Sequence, residues 1–138
     1  MATNLFPLAF EVGVDSGVLL SGARKPLPFG PPPEFGGDAH VWTPEHLLLS
    51  ATASCFLETF HAVARKNGLS YGHPTCRAKG TLERDGFTKI ELFVELMVRD
   101  GDAERAQKLL LGAKARCFVA NTLKCPVELR IEIKKLAR

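Results

Sequence analysis

The residues of this chain best suited to covalent chemistry are its four cysteines, Cys55, Cys76, Cys117 and Cys125. None belongs to a C-x-x-C pair and the four histidines are scattered, so no metal site is expected. A cysteine reacts as its thiolate, and burial alone opposes ionisation, so a reactive thiol needs a cation nearby. The first 60 residues hold one arginine, Arg24, and Glu45 is the carboxylate suited to hold such an arginine through a bidentate pair. The plainer readings stay open beside these. A buried free cysteine is commonly an inert apolar filler, and a glutamate such as Glu45 at a helix start complements the helix dipole.

The element that carries Cys55 is a long apolar helix running from Thr43 to Arg65. Thr43 caps it, Pro44 suits the first helical position, and Asn67-Gly68 closes it. Leu48, Ala51, Thr52 and Cys55 recur at i, i+3, i+4 and i+7 and predict an inward face that includes the thiol. A second helix, capped by Asp102, places Ala106, Leu109, Leu110, Ala113 and Cys117 on one continuous face and stops before Pro126. Both helices are expected to pack on the same sheet, where the two sulfurs could meet. Cys76 fits the core face of a strand and Cys125 sits at the helix stop, so both are expected to be structural.

The rest of the chain supplies that sheet. Residues 5–14 read as an irregular strand, Asp15-Ser16-Gly17 as a turn and Val18-Leu19-Leu20 as its partner. Residues 21–42, rich in Pro and Gly, read as an ordered loop rather than a tether, because Leu27, Phe29, Phe35 and Trp42 are too apolar to be solvated. Cys76, Ala78, Gly80 and Leu82 alternate, Arg84-Asp85-Gly86 makes a hairpin turn, and Ile90, Leu92, Val94, Leu96 and Val98 face inward. Val127, Leu129, Ile131 and Ile133 form the last strand. The expectation is a single α+β domain over residues 1–138, with two core helices against an antiparallel sheet.

Composition removes several classes of function. The net charge of +3 is mild and the basic residues have acidic neighbours, so no nucleic-acid surface is expected. Unbroken apolar runs span only a few residues, so no membrane helix is expected, and the N-terminus lacks the pattern of a signal peptide. A cytoplasmic, reducing setting follows, with no call for disulfides as a framework. Glu45 precedes Cys55 by ten residues, roughly 15 Å along a helix. A shared site would therefore need two chains paired about a two-fold axis, with each Glu45 near the other chain's Cys55.

The runs P-P-E-F-G-G (Pro32 to Gly37) and T-P-E-H-L-L-L-S-A-T-A-S-C-F (Thr43 to Phe56) resemble the signature of the OsmC/Ohr family, the osmotically induced and organic hydroperoxide resistance proteins. A-x-x-x-C-F-V-A-N-T-L (Ala113 to Leu123) resembles the family's second cysteine motif, and the order of motifs agrees over nearly the whole chain. The chain most resembles the broader OsmC-like branch. The resemblance implies an OsmC-like α+β fold, an intertwined homodimer and two interface active sites. It also implies a thiol peroxidase without metal, haem or flavin. In that scheme Cys55 attacks an organic hydroperoxide, Cys117 resolves the sulfenic acid as a disulfide, Glu45 orients an activating arginine, and a dithiol reduces the product. Arg24 is the candidate arginine. Phe29, Phe35, Trp42, Phe56 and Phe60 wall an apolar substrate pocket or else are core aromatics. Two other functions fit: a non-catalytic module binding a small apolar ligand at the dimer interface, and an acyl-thioester hydrolase relying on Glu45.

Overall fold

The computed structural model describes residues 3, 4, 6, 9–12, 17–21 and 24–136, and of residues 9–12 the backbone alone. The chain is α+β, with two three-stranded sheets and three α-helices among the described residues. It divides into two compact units, Met1–Leu48 and Leu49–Arg138.

The first unit holds β1 (Ala9–Val12), β2 (Gly17–Leu20) and β3 (Leu27–Phe29), antiparallel in that order. Of the expected turn between β1 and β2, Asp15 and Ser16 lie outside the described residues. The Pro/Gly-rich stretch is ordered by short pieces. A 3-10 turn spans Pro33–Phe35 and closes on Gly36, whose φ of 87° favours glycine. Phe29 bridges Trp42, and the Gly30 N–H donates to the Trp42 carbonyl at 2.8 Å.

Helix α1 (Pro44–Lys66) begins in this unit and continues through the second. Thr43 caps it as its sequence predicts: the His46 N–H donates to Thr43 Oγ1 at 3.0 Å. At the other end Gly68, with φ 63°, lets the Gly68 and Leu69 N–H groups close back on the Arg65 and Ala64 carbonyls. The buried stripe differs from the expected one. It is Thr52, Phe56, Phe60 and Ala64, one residue in four, while Cys55 lies beside it and is half-buried. The two aromatic rings, the bulkiest side chains of the helix, set the rotation. By length and composition α1 is long and apolar enough to cross a membrane although its unbroken apolar runs are short, a test that the core helix of a soluble protein also passes. Single polar residues such as Ser50, Thr52 and Ser54 interrupt those runs without making the helix polar.

The second unit is built on β4 (Thr75–Glu83), β5 (Gly86–Val98) and β6 (Val127–Lys135). Ile90, Leu92, Val94, Leu96 and Val98 of β5 are buried and form the floor of the core. The β4–β5 hairpin is antiparallel and turns on Arg84, which takes the left-handed φ of 44° instead of Gly86. A register shift between Thr81 and Leu82 turns Leu82 outward to 48% exposure, so it does not join the core face as its alternation suggested. Strand β6 runs parallel to β5, whereas a wholly antiparallel sheet was expected. The connection carries α2 (Ala103–Ala115) and α3 (Phe118–Thr122) and brings the chain back to the end where β5 began, as a crossover must.

Helix α2 buries Ala106, Leu110 and Ala113. Asp102 precedes it without a side-chain capping bond; its carboxylate instead pairs with Arg105 at 3.4 Å. The expected continuous helix through Cys117 is two helices. Arg116 closes α2, Cys117 is extended (φ −71°, ψ 111°), and α3 starts at Phe118. Asn121 Nδ2 donates to the Ala115 carbonyl at 3.0 Å and ties the short helix to the end of the longer one.

Candidate functional site

The break between α2 and α3 gives the two thiols their relationship. Cys117, the residue in the break, is fully buried and joins Ala106, Leu110 and Ala113 in the core. Its Sγ lies 4.0 Å from the Thr52 carbonyl oxygen on α1, and it neighbours Cys55 closely enough for each thiol to shift the ionisation of the other. Both thiols are free.

A helix start leaves backbone N–H groups without partners. At α3 no side-chain cap serves them, and the Val119 and Phe118 N–H groups favour a negative charge on the Cys55 sulfur. Burial pushes the Cys55 thiol up. The Val119 N–H, the Cys117 S–H, the Phe118 N–H and the Thr59 hydroxyl outweigh it, so the thiol ionises below the ordinary range. Cys117 goes the other way. Burial raises it, the Ala120 N–H opposes that, and the hydrogen bond to Cys55 with the charge on that sulfur raises it further. One sulfur is therefore half-buried with its ionisation eased; the other is enclosed with its ionisation opposed.

Thr59, Phe118 and Val119 carry much of this arrangement, and none was identified from the sequence. Backbone donors have no side-chain signature. Thr59, four residues after Cys55, was legible in principle from its i, i+4 spacing. Its Oγ1 also donates to the Cys55 carbonyl at 2.8 Å.

The other expected site residues lie in the first unit. Glu45 stands in the first turn of α1, half-buried, with Oε2 buried and without a hydrogen-bond partner. Arg24 is exposed on a bend, and no ion pair joins it to Glu45 among the described residues. The five aromatics do not share one setting: Phe56 and Phe60 are core residues of the second unit, while Phe35 and Trp42 are exposed. Cys76 is half-buried, and burial pushes its thiol up. Cys125 packs at the margin of the core. No cluster of three or more metal-ligating side chains occurs among the described residues.

Comparison with known proteins sets these residues in a wider frame. The family model for OsmC-like protein matches residues 36–132. Among solved structures, an OsmC-like protein of Vibrio cholerae superimposes with a TM-score of 0.86 at 16% identity, covering 94% of this chain and 100% of the other. The organic hydroperoxide resistance protein OsmC of Legionella pneumophila gives 0.73 at 20%, with 97% and 99% covered. The organic hydroperoxide resistance protein OhrB of Bacillus subtilis gives 0.65 at 22%, with 96% and 100% covered. No curated protein sequence matches the chain.

Proposed function

The chain belongs to the OsmC-like protein family, and from that premise we propose that it is a cysteine-based peroxidase that reduces organic hydroperoxides. The observation that carries this reading is the unequal pair of thiols. Cys55 is half-buried and its thiol ionises below the ordinary range, while the neighbouring Cys117 is fully buried and its thiol is pushed up. Two of the structurally similar proteins are named organic hydroperoxide resistance proteins, which points to the substrate class.

In the proposed cycle the Cys55 thiolate attacks one peroxide oxygen. A sulfur–oxygen bond forms, the O–O bond breaks, and the alkoxide leaves as alcohol after taking a proton. Cys55 is then a sulfenic acid. The Phe118 and Val119 N–H groups favour the negative charge that Cys55 carries at the start of this step. Cys117 surrenders its proton and attacks the Cys55 sulfur. A disulfide forms and the sulfenic oxygen departs as water. An external dithiol returns both sulfurs to the thiol form by exchange. The burial of Cys117 suits a resolving thiol, which should not meet peroxide itself.

We place Glu45 and Arg24 in this reading as the pair that brings a cation to Cys55 across a homodimer. A buried carboxylate oxygen without a partner calls for a donor, and Arg24 is exposed on its bend. The apolar length of α1, of which its own chain buries only Thr52, Phe56, Phe60 and Ala64, supports a second copy as the cover. A cytoplasmic setting belongs to the same proposal, since the disulfide must be reducible.

The test is a single turnover of the reduced protein with cumene hydroperoxide and with hydrogen peroxide, read by intact mass and non-reducing peptide mapping. A fast Cys55–Cys117 disulfide that prefers the organic peroxide and vanishes in Cys55→Ser is expected. Two thiols still reduced after minutes in excess peroxide would reject the peroxidase.

A further inference from the structure

The crossover between β5 and β6 holds the chain's surplus of positive charge. Residues 103–126 contain five Lys and Arg against one acidic residue, a net of +4, while the whole chain nets +3. The rest of the chain therefore nets −1. At the start of α2 these cations are engaged: Arg105 pairs with Asp102 at 3.4 Å and Lys108 with Glu104 at 3.5 Å. Further along, Lys114, Arg116 and Lys124 form no ion pair among the described residues. Beside them stand two exposed apolar side chains, Leu111 at 49% and Phe118 at 82%.

The backbone explains why Phe118 is outside. Cys117 is extended, and along an extended chain successive side chains point to opposite sides. Cys117 takes the core side, with Sγ 4.0 Å from the Thr52 carbonyl oxygen, so the inner side of the segment rests on α1. The break that encloses the Cys117 thiol therefore also turns the Phe118 ring to the surface. At roughly 1.5 Å per residue the five residues of α3 span about 7 Å, so Lys114 and Lys124 flank the same ring.

A helix end attracts cations, which accounts for Lys114 and Arg116 at the close of α2. It does not account for a bare aromatic ring among the charges. An exposed aromatic with an apolar neighbour and a cationic rim has the composition of a protein-binding patch. Nucleic acid fits it less well, since three cations around an apolar centre give no track for a phosphate backbone. We propose that Leu111 and Phe118, ringed by Lys114, Arg116 and Lys124, form the docking site of an acidic protein that carries the reducing dithiol.

Docking requires only the surface; the partner's task as reductant rests on the peroxidase reading. In that task one partner thiolate attacks the Cys55–Cys117 disulfide, the S–S bond breaks and a mixed disulfide forms. The second partner thiol displaces it. The partner leaves as a disulfide and this chain as a dithiol, richer by two electrons and two protons. The unpaired cations steer an acidic surface to the segment that holds Cys117.

Docking is read first, without chemistry, by fluorescence anisotropy of a labelled Glu-rich peptide whose Cys-x-x-Cys pair is replaced by serines. The full-length chain should bind it about tenfold more tightly than a Lys-rich counterpart, and about 0.5 M salt should erase the difference. Lys114→Glu, Arg116→Glu and Lys124→Glu together should abolish binding. Arg65→Glu, Lys66→Glu and Lys79→Glu, the same change of charge elsewhere, should preserve most of it. Phe118→Ser should weaken binding severalfold; Leu111→Ser takes its place if circular dichroism shows that variant unfolded. Reduction is read second, on chain whose disulfide was made with diamide and not with peroxide. The Cys-x-x-Cys form of the Glu-rich peptide should lose its rate advantage over the Lys-rich form in the first triple variant, while the rate with dithiothreitol holds.

Equal loss of binding in both triple variants would reduce the effect to net charge and overturn the proposal. So would a wild type that sediments as a dimer beside a Phe118→Ser variant that sediments as a monomer, since the patch would then belong to a second copy. Absent docking with a peroxide-driven disulfide present rejects this surface and leaves the peroxidase standing. Charge-dependent reduction of the diamide disulfide with no reaction to peroxide does the opposite.

Discussion

Cys117 packs against the stretch of α1 that carries Cys55, its Sγ 4.0 Å from the Thr52 carbonyl oxygen, and the two thiols are driven in opposite directions by the surroundings they share. The start of α3 eases the ionisation of Cys55, whereas Cys117 is enclosed by the core, which opposes its own. An attacking thiol and a resolving thiol need this inequality, because a pair of equal thiolates would repel and compete for the oxidant.

The inequality has a pH signature. Cys55, ionising below an ordinary thiol, should be alkylated at a lower pH than Cys117 in the same folded chain. Burial is the first cause at Cys117 and the influence of Cys55 a lesser one. Replacing Cys55 by alanine should therefore lower the Cys117 midpoint while leaving it above the ordinary thiol range. Peptide-resolved alkylation profiles of the wild type and Cys55→Ala read both values. A Cys117 midpoint that rose on loss of Cys55 would contradict the assigned contacts.

Glu45 and Arg24 are tied to the proposed cycle by the buried Oε2. Glu45→Gln keeps the volume and removes the charge that would orient a guanidinium. The rate of Cys55 oxidation by organic hydroperoxide should fall about tenfold, the scale of one charge-assisted contact. Arg24→Ala should fall as far, and the double variant should lose no more than either alone, since both remove one interaction. Additive losses in stopped-flow oxidation would separate the two residues.

Phe60 tests the core that holds Cys55 in place. The ring is fully buried and packs at 5.2 Å, centroid to centroid, on Tyr71. Phe60→Ala should cost about 3–5 kcal/mol by loss of transfer energy and by the cavity left. Urea unfolding monitored by circular dichroism measures it. A loss under ~1 kcal/mol would mean that the core collapses around the gap.

How much of this was legible in the sequence depends on which property carried the information. The alternation of Ile90 to Val98 and the Thr43 cap are local patterns, and both appear where the residues placed them. The direction of β6 was not legible, because a period of two is the same for a parallel and an antiparallel strand. The break at Cys117 was hidden for a related reason. Ala106, Leu110, Ala113 and Cys117 are all fully buried, so the apolar face runs unbroken across a backbone that does not. The rotation of α1 was misread because Leu48, Ala51 and Cys55 are apolar enough to have been buried. Periodicity could not weigh them against Phe56 and Phe60. Two of the groups that ease the ionisation of Cys55, at Phe118 and Val119, are backbone N–H groups, which any residue type but proline supplies.

Those backbone donors can be tested one at a time at Phe118. It occupies the first position of α3, where a proline's missing N–H and fixed φ are tolerated, and Cys117 before it is already extended, as a residue preceding proline must be. Its ring is 82% exposed, so losing it removes little packing within the chain. Phe118→Pro should therefore leave the fold intact, with stability unchanged or raised by about 0.5 kcal/mol through the stiffer unfolded chain. It removes one of the two N–H groups that favour a negative charge on Cys55 and leaves that of Val119. Cys55 should ionise at a higher pH than in the wild type and react about twofold more slowly with iodoacetamide at pH 7. Thermal unfolding and peptide-resolved alkylation check the two halves. Retained stability with an unaltered Cys55 profile would mean that the Phe118 amide contributes nothing to the thiolate, leaving Val119 and Thr59 as its donors.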